Sequence, residues 1–170
     1  MAGVAIEFLA ERHADGILCA ASDPELSWTS SVPADCKPAH VNGWIRDNNA
    51  KPCASLTFAV LDGDEVVGAV TLKKLDAGDR SGELAFWVGR HHRGKGLARK
   101  AGKLAVDYAF NDLRLDYVHA HCLRDNNQAS RKTLETLGFT REASRADLPV
   151  EDLFSSRFPG DAWVFYRRDR

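Results

Sequence analysis

The stretch that most constrains this chain is Gly89-Arg90-His91-His92-Arg93-Gly94-Lys95-Gly96-Leu97-Ala98, set between an apolar segment, Leu84-Ala85-Phe86-Trp87-Val88, and an amphipathic one. A glycine-rich turn running from a strand into a helix exposes backbone N–H groups at a helix N-terminus, where anions bind readily. Arg93, Lys95, Arg99 and Lys100 crowd that helix start, although the helix dipole disfavours cations there. A polyanionic, phosphate-bearing ligand accounts for both features. His91 and His92 read as exposed loop residues.

The surrounding pattern defines the layers. Residues about 10–22 read as a first helix, 23–38 as a proline-bearing loop, and 39–47 as a short second helix with Val41, Trp44 and Ile45 at helical spacing. Strands follow at 56–61, 66–72 and 83–88, joined by turns at Asp62-Gly63-Asp64 and 76–82. Short turns make these strands antiparallel. Gly68 marks a bulge or a close backbone approach.

A helix over 94–111 then presents Leu97, Ala101, Leu104, Ala105 and Tyr108 on one face. Residues 115–123 form a strand, Asp125-Asn126-Asn127 caps a helix ending at Gly138, and 162–168 form a last strand. A helical crossover forces the strands at 83–88 and 115–123 to run parallel if they are neighbours. The expected fold class is therefore α/β, a mixed and mostly antiparallel sheet flanked by helices, in a single domain over residues 1–170.

Charge and composition exclude some classes. A net charge of −1 gives no global field for nucleic acid or a membrane surface. No apolar run reaches the roughly 20 residues that span a bilayer, and Met1 to Glu7 does not read as a signal peptide. Cys19, Cys36, Cys53 and Cys122 form no C-x-x-C pair, which fits reduced thiols in the cytoplasm. His119 and His121 share one strand face. They suit a proton relay or a solvated face better than a metal, for want of a third ligand.

The glycine run by itself leaves several readings open. Gly89-x-x-x-x-Gly94-Lys95 approaches a nucleoside-triphosphate loop, but Gly96 stands where Ser or Thr would hold magnesium. Gly94-x-Gly96 opens a dinucleotide fingerprint, but Arg99 stands where Gly or Ala belongs. A plain solvated turn remains the bland alternative.

Three segments in order carry a more specific resemblance. His91-His92-Arg93-Gly94-Lys95-Gly96 has the spacing of the Gln/Arg-x-x-Gly-x-Gly/Ala loop of the GNAT N-acetyltransferases, with His91 replacing the usual Gln or Arg. The segment from Asn127 through Ser130 to Leu134-Glu135-Thr136-Leu137-Gly138-Phe139 is similar to that superfamily's Asn-x-x-Ser…Leu-Glu-Lys-Leu-Gly-Phe signature. Glu83-Leu84-Ala85-Phe86-Trp87-Val88 resembles the Glu-Leu-Gly-Tyr-Trp-Ile strand of the RimJ/RimL-like branch.

The resemblance implies a cleft for acetyl-CoA between two splayed parallel strands, 83–88 and 115–123. It implies acetyl transfer to an amine acceptor, either a protein N-terminus or a small molecule, without a metal, and it admits a homodimer. Residues 83–139 become the cofactor-binding core, and the helices at about 10–48 shape the acceptor side. The implied cofactor-binding residues are Val88, His91, Arg93, Gly94, Lys95, Gly96, Leu97, Ala98, Arg99, Asn127 and Ser130. Asn126 competes with Asn127 for the motif position. Glu83 is the candidate base or amine anchor, and Ser130 the candidate acid for the leaving thiolate. The alternatives are an acetyl-CoA-binding module without catalysis and a nucleotide-binding protein using the Gly89–Gly96 loop.

Overall fold

The computed structural model describes residues 3–143, 148–149, 158 and 160–170. In chain order the elements are β1 (Val4–Phe8), α1 (Ala14–Ala20), α2 (Pro38–Asn49), β2 (Ser55–Asp62), β3 (Glu65–Asp76), β4 (Ser81–Val88), α3 (Leu97–Asn111), β5 (Tyr117–Leu123), α4 (Gln128–Thr136), β6 (Thr140–Arg141), β7 (Leu148–Pro149) and β8 (Ala162–Asp169). Among the described residues the strands form one sheet in the order β1-β2-β3-β4-β5-β8-β6, with β7 also pairing β8. Every pairing is antiparallel except β4 with β5. No helix among the described residues is long and apolar enough to cross a membrane.

Strand alternation assigns each side chain to a layer. Phe58, Val60, Val70, Leu72, Leu84, Val118, Ala120 and Cys122 form the larger core with α3 and α4. Ala59 and Ala69, with half-buried Leu61 and Trp87, face the opposite layer of α1 and α2, where Ile17 and Val41 are fully buried. The same alternation puts Thr57, Thr71, Lys73, Glu83, His119 and His121 on this second face, so polar residues concentrate where the N-terminal helices lie.

Several expectations shift. β1 was not expected. It is short, and it pairs in full register with β2, from Val4 with Asp62 to Phe8 with Phe58. The helix expected from residue 94 starts at Leu97, because Gly94 and Gly96 take φ of +78° and +72°, and left-handed residues cannot begin a right-handed helix. Leu104, expected on the buried face, is 38% exposed, while Gly102, Val106, Ala109 and Phe110 are buried in its place. Gly68 meets both expectations. It lies beside a bulge, with Val60 opposite Gly68 but Leu61 opposite Val66, and an added Cβ would overlap the Trp87 carbonyl oxygen.

Candidate functional site

The site begins where a parallel ladder stops. β4 and β5 pair only from Ser81 with Tyr117 to Glu83 with His119. Beyond Glu83 the two strands part, β4 running on to Val88 while β5 continues along the seven-pair ladder that it shares with β8 over its whole length. The splay leaves the β5-facing backbone of Leu84 to Val88 outside the ladder, and an extended ligand can pair with such an edge as an added strand would.

At the far end of β4 the chain enters the glycine loop. Gly96 caps α3 in the left-handed conformation, and no side chain caps the helix. The first-turn N–H groups of Leu97, Ala98 and Arg99 therefore face outward for an anion. Gly94 and Gly96 are required by their φ, since a Cβ at Gly94 would meet nothing within 4 Å. Lys95, Arg99 and His91 are exposed, Ala98 is half-buried, and Leu97 and Val88 are buried. The Arg93 side chain is committed elsewhere. Its Nε donates to the Val88 carbonyl at 3.1 Å and its guanidinium pairs with buried Asp23 at 3.0 Å. Its backbone N–H donates to the Arg90 carbonyl at 3.4 Å, so Arg93 braces the loop against β4 and Asp23. These features fit the diphosphate and extended arm of a CoA thioester.

The open jaw of the strands leads into a cavity of about 450 Å³ that Glu83, His121, Asn127 and Ser130 line, together with Trp44 and Asp47 of α2, Thr29 to Val32, Trp87 and Trp163. The glycine loop is not part of this wall. The two halves of the expected site thus lie at opposite ends of one strand, β4.

Glu83 sits at the vertex of the splay and is only 4% exposed. Lys73 Nζ lies 3.1 Å from its Oε1, Lys74 Nζ lies 2.6 Å from its Oε2, and His121 Nδ1 lies 3.5 Å from Oε1. Consecutive strand residues normally point to opposite faces. Here β3 carries an extra residue against β4 between Lys73 and Asp76, and Lys74 takes φ +50°, so both lysines reach one carboxylate. Burial alone would raise the Glu83 pKa, but the Lys74 hydrogen bond, Lys73 and His121 outweigh it and hold the carboxyl below its usual range. His121 is shifted down, chiefly by burial, with Lys73, Lys74 and His119 adding to the shift and Glu83 opposing it.

The α4 side is positioned by the Asn127 carboxamide, which caps the helix, and by the Asp161 carboxylate, which holds the turn before it. Asn127 Oδ1 accepts from the Ser130 N–H at 3.2 Å, so Asn127 rather than Asn126 is the helix cap. Asn126 instead donates through its backbone and its side chain to Asp161, at 3.1 and 2.8 Å. Asp161 also accepts from the Asp125 and Ala162 N–H groups. The helix closes on Gly138 at φ +83° with Phe139 buried beyond it.

The tyrosines are engaged elsewhere. Tyr108 stacks edge-on with Phe8 and Phe58, Tyr117 bonds Asp79, and Tyr166 is buried against Arg131 and Glu135. The structure adds Lys73, Lys74, Asp161 and Asp23 to the residues expected from sequence. Nothing local marks them, because each acts on a partner that is distant in the chain or displaced by a bulge.

Residues 4–140 match the acetyltransferase (GNAT) domain family. The spermidine N(1)-acetyltransferase of Vibrio cholerae is 32% identical over 102 residues, 59% of this chain and 56% of that protein. The uncharacterized N-acetyltransferase p20 of Bacillus licheniformis is 33% identical over 91 residues, 54% of this chain and 51% of that protein. The chain spans about half the length of these curated relatives. Among solved structures, the spermidine N-acetyltransferase from Vibrio cholerae in complex with CoA and spermine superposes with a TM-score of 0.81 at 20% identity, over 98% of this chain and 95% of that one. RimL, a ribosomal L7/L12 alpha-N-protein acetyltransferase in complex with coenzyme A, gives 0.81 at 17% identity, over 99% and 95%. At these identities the structural likeness establishes the fold.

Proposed function

The chain belongs to the acetyltransferase (GNAT) domain family, and from that premise we propose that it moves an acetyl group from acetyl-CoA directly to a primary amine. The observation that carries the proposal is the parting of β4 and β5 at a buried carboxylate, with an uncapped helix N-terminus at the outer end of β4. Acetyl-CoA supplies an acyl thioester to this cleft. The N–H groups around Gly94 to Ala98 hold its diphosphate, and Lys95 and Arg99 add charge at close range. His91 and Arg93 shape the loop, and Val88 ends the strand along which the extended arm pairs.

Asn127 fixes the first turn of α4, so the Ser130 hydroxyl meets the leaving sulfur as the proton donor. Glu83 orders the acceptor end. The segment of about residues 10–48 forms the acceptor wall and brings Trp44 to the cavity, and Trp87 of β4 and Trp163 of β8 add aromatic faces that suit an amine-bearing chain. The acceptor is a protein N-terminus or a small-molecule amine, in keeping with the branch that the Glu83–Val88 strand resembles.

The test is release of CoA thiol from acetyl-CoA in the presence of spermidine, of N-terminal peptides and of simple primary amines. Amine-dependent thiol release with a matching mass gain of one acetyl group is expected. Tight CoA binding with no amine consumed would make this a binding module instead.

A further inference from the structure

Building on that reading, we propose that the proton shed by the attacking amine goes to His121 Nε2, and that Glu83, pinned by Lys73 and Lys74, positions this imidazole rather than accepting the proton itself. The geometry separates the two roles. Each Glu83 oxygen already faces an ammonium group, Oε1 at 3.1 Å from Lys73 and Oε2 at 2.6 Å from Lys74. Protonating that carboxyl, itself almost wholly buried, would sacrifice both ion pairs. His121 is differently placed. Its Nδ1 lies 3.5 Å from Glu83 Oε1, which favours the tautomer with the hydrogen on Nδ1 and the lone pair on Nε2.

The ring is held between the edges and faces of Trp163 and Phe165, with centroids 5.1 and 6.0 Å away. It lines the same cavity as Ser130. The charged and titratable groups around it, among the described residues, come from four elements. β4 brings Glu83, β3 brings Lys73 and Lys74, β5 brings His119, α2 brings Asp47 to the cavity wall, and β8 brings the two rings. Burial and the two lysines keep the imidazole neutral near pH 7, the form able to take a proton.

The step balances. As the amine nitrogen bonds to the acyl carbon, the carbon–sulfur bond breaks and sulfur keeps the pair. Nitrogen gives one proton to His121, and sulfur receives one from Ser130. The His121 proton then passes to solvent as Ser130 is reprotonated, so no net proton is gained or lost.

The test is the pH dependence of kcat/KM for the amine in the wild type, His121→Gln and Glu83→Gln, by thiol release. The wild type is expected to lose activity on the acid side with an apparent pKa below 6.5. His121→Gln should lower kcat about 100-fold and abolish that limb, with KM for acetyl-CoA unchanged. Glu83→Gln should keep the limb but move it to lower pH, because a nearby negative charge no longer supports the imidazolium. If Glu83 were the base, Glu83→Gln would abolish the limb and His121→Gln would keep it, overturning the proposal. An unchanged kcat in His121→Gln would also overturn it. His121→Asn replaces His121→Gln if the latter does not melt cooperatively with the wild-type response to acetyl-CoA. A wild type that acetylates no amine would defeat the transferase reading and this role with it.

Discussion

Asp161 offers the sharpest link between fold and site. It is 5% exposed and accepts four hydrogen bonds, from the N–H groups of Asp125 (3.0 Å), Asn126 (3.1 Å) and Ala162 (2.8 Å) and from the Asn126 amide (2.8 Å). These bonds tie the start of β8 to the turn that delivers Asn127 and Ser130. Asp161→Ala strands three backbone donors and one side-chain donor. Hydrogen bonds to a charged acceptor are worth about 1.5–3 kcal/mol each, but they are not additive within one network and water enters the relaxed turn. A total loss of about 3 kcal/mol follows, which is a fall in Tm of roughly 6–12 °C for a chain of this size.

The effect depends on pH with a definite sign. Burial would raise the Asp161 pKa, but the Asn126 side chain and the three backbone donors outweigh it and hold it low. A carboxyl with a depressed folded pKa stabilises above its unfolded value of about 3.9 and loses that contribution as pH falls through the folded pKa. The gap between wild type and Asp161→Ala should therefore be full at pH 7 and begin to close below about pH 5. Thermal melting followed by circular dichroism at pH 7 and pH 4 measures it. A drop under about 2 °C at pH 7, or a gap that widens on acidification, would refute the reasoning.

Three further outcomes are expected. Gly96→Ala meets no steric obstacle nearer than the Arg99 guanidinium at 3.8 Å, so its cost is that of φ +72° alone, about 1–2 kcal/mol; KM for acetyl-CoA should rise about tenfold, read by initial rates. Ser130→Ala should lower kcat about 100-fold with little change in KM for acetyl-CoA, measured by thiol release, while Asn127 keeps the helix capped. The Cys122 thiol is pushed up to about 12 chiefly by burial, so at pH 8 its thiolate fraction is about one part in 10,000; peptide mapping after brief maleimide treatment should find exposed Cys19 labelled and Cys122 unlabelled.

Local pattern carried much of this fold. The periodicities of β2 to β5, α3 and α4 are strong because one face of each is continuous core, and the parallel β4–β5 pairing follows from the helical crossover between them. β1 escaped notice because five residues flanked by no turn signal read equally well as a tail. The start of α3 was placed too early because Lys95 and its glycines suit a helix entry until their φ values are known. Among the residues that line the cavity, motif spacing had singled out Glu83, Asn127 and Ser130, and alternation already put His121 on a face with His119. The two lysines on Glu83 were not legible. They depend on a bulge with a left-handed Lys74, which no hydrophobic pattern encodes. The Arg93–Asp23 pair, spanning 70 residues in sequence, is long-range for the same reason.

The most direct test of the central claim is thermal melting of the protein with acetyl-CoA, free CoA, ATP plus magnesium, and NAD. A ligand that binds only the folded chain at a hundredfold excess over its Kd adds about 2.7 kcal/mol, roughly 5–11 °C here. The account predicts a rise of that order with acetyl-CoA and CoA alone. A rise with ATP or NAD, and none with either CoA species, would contradict it.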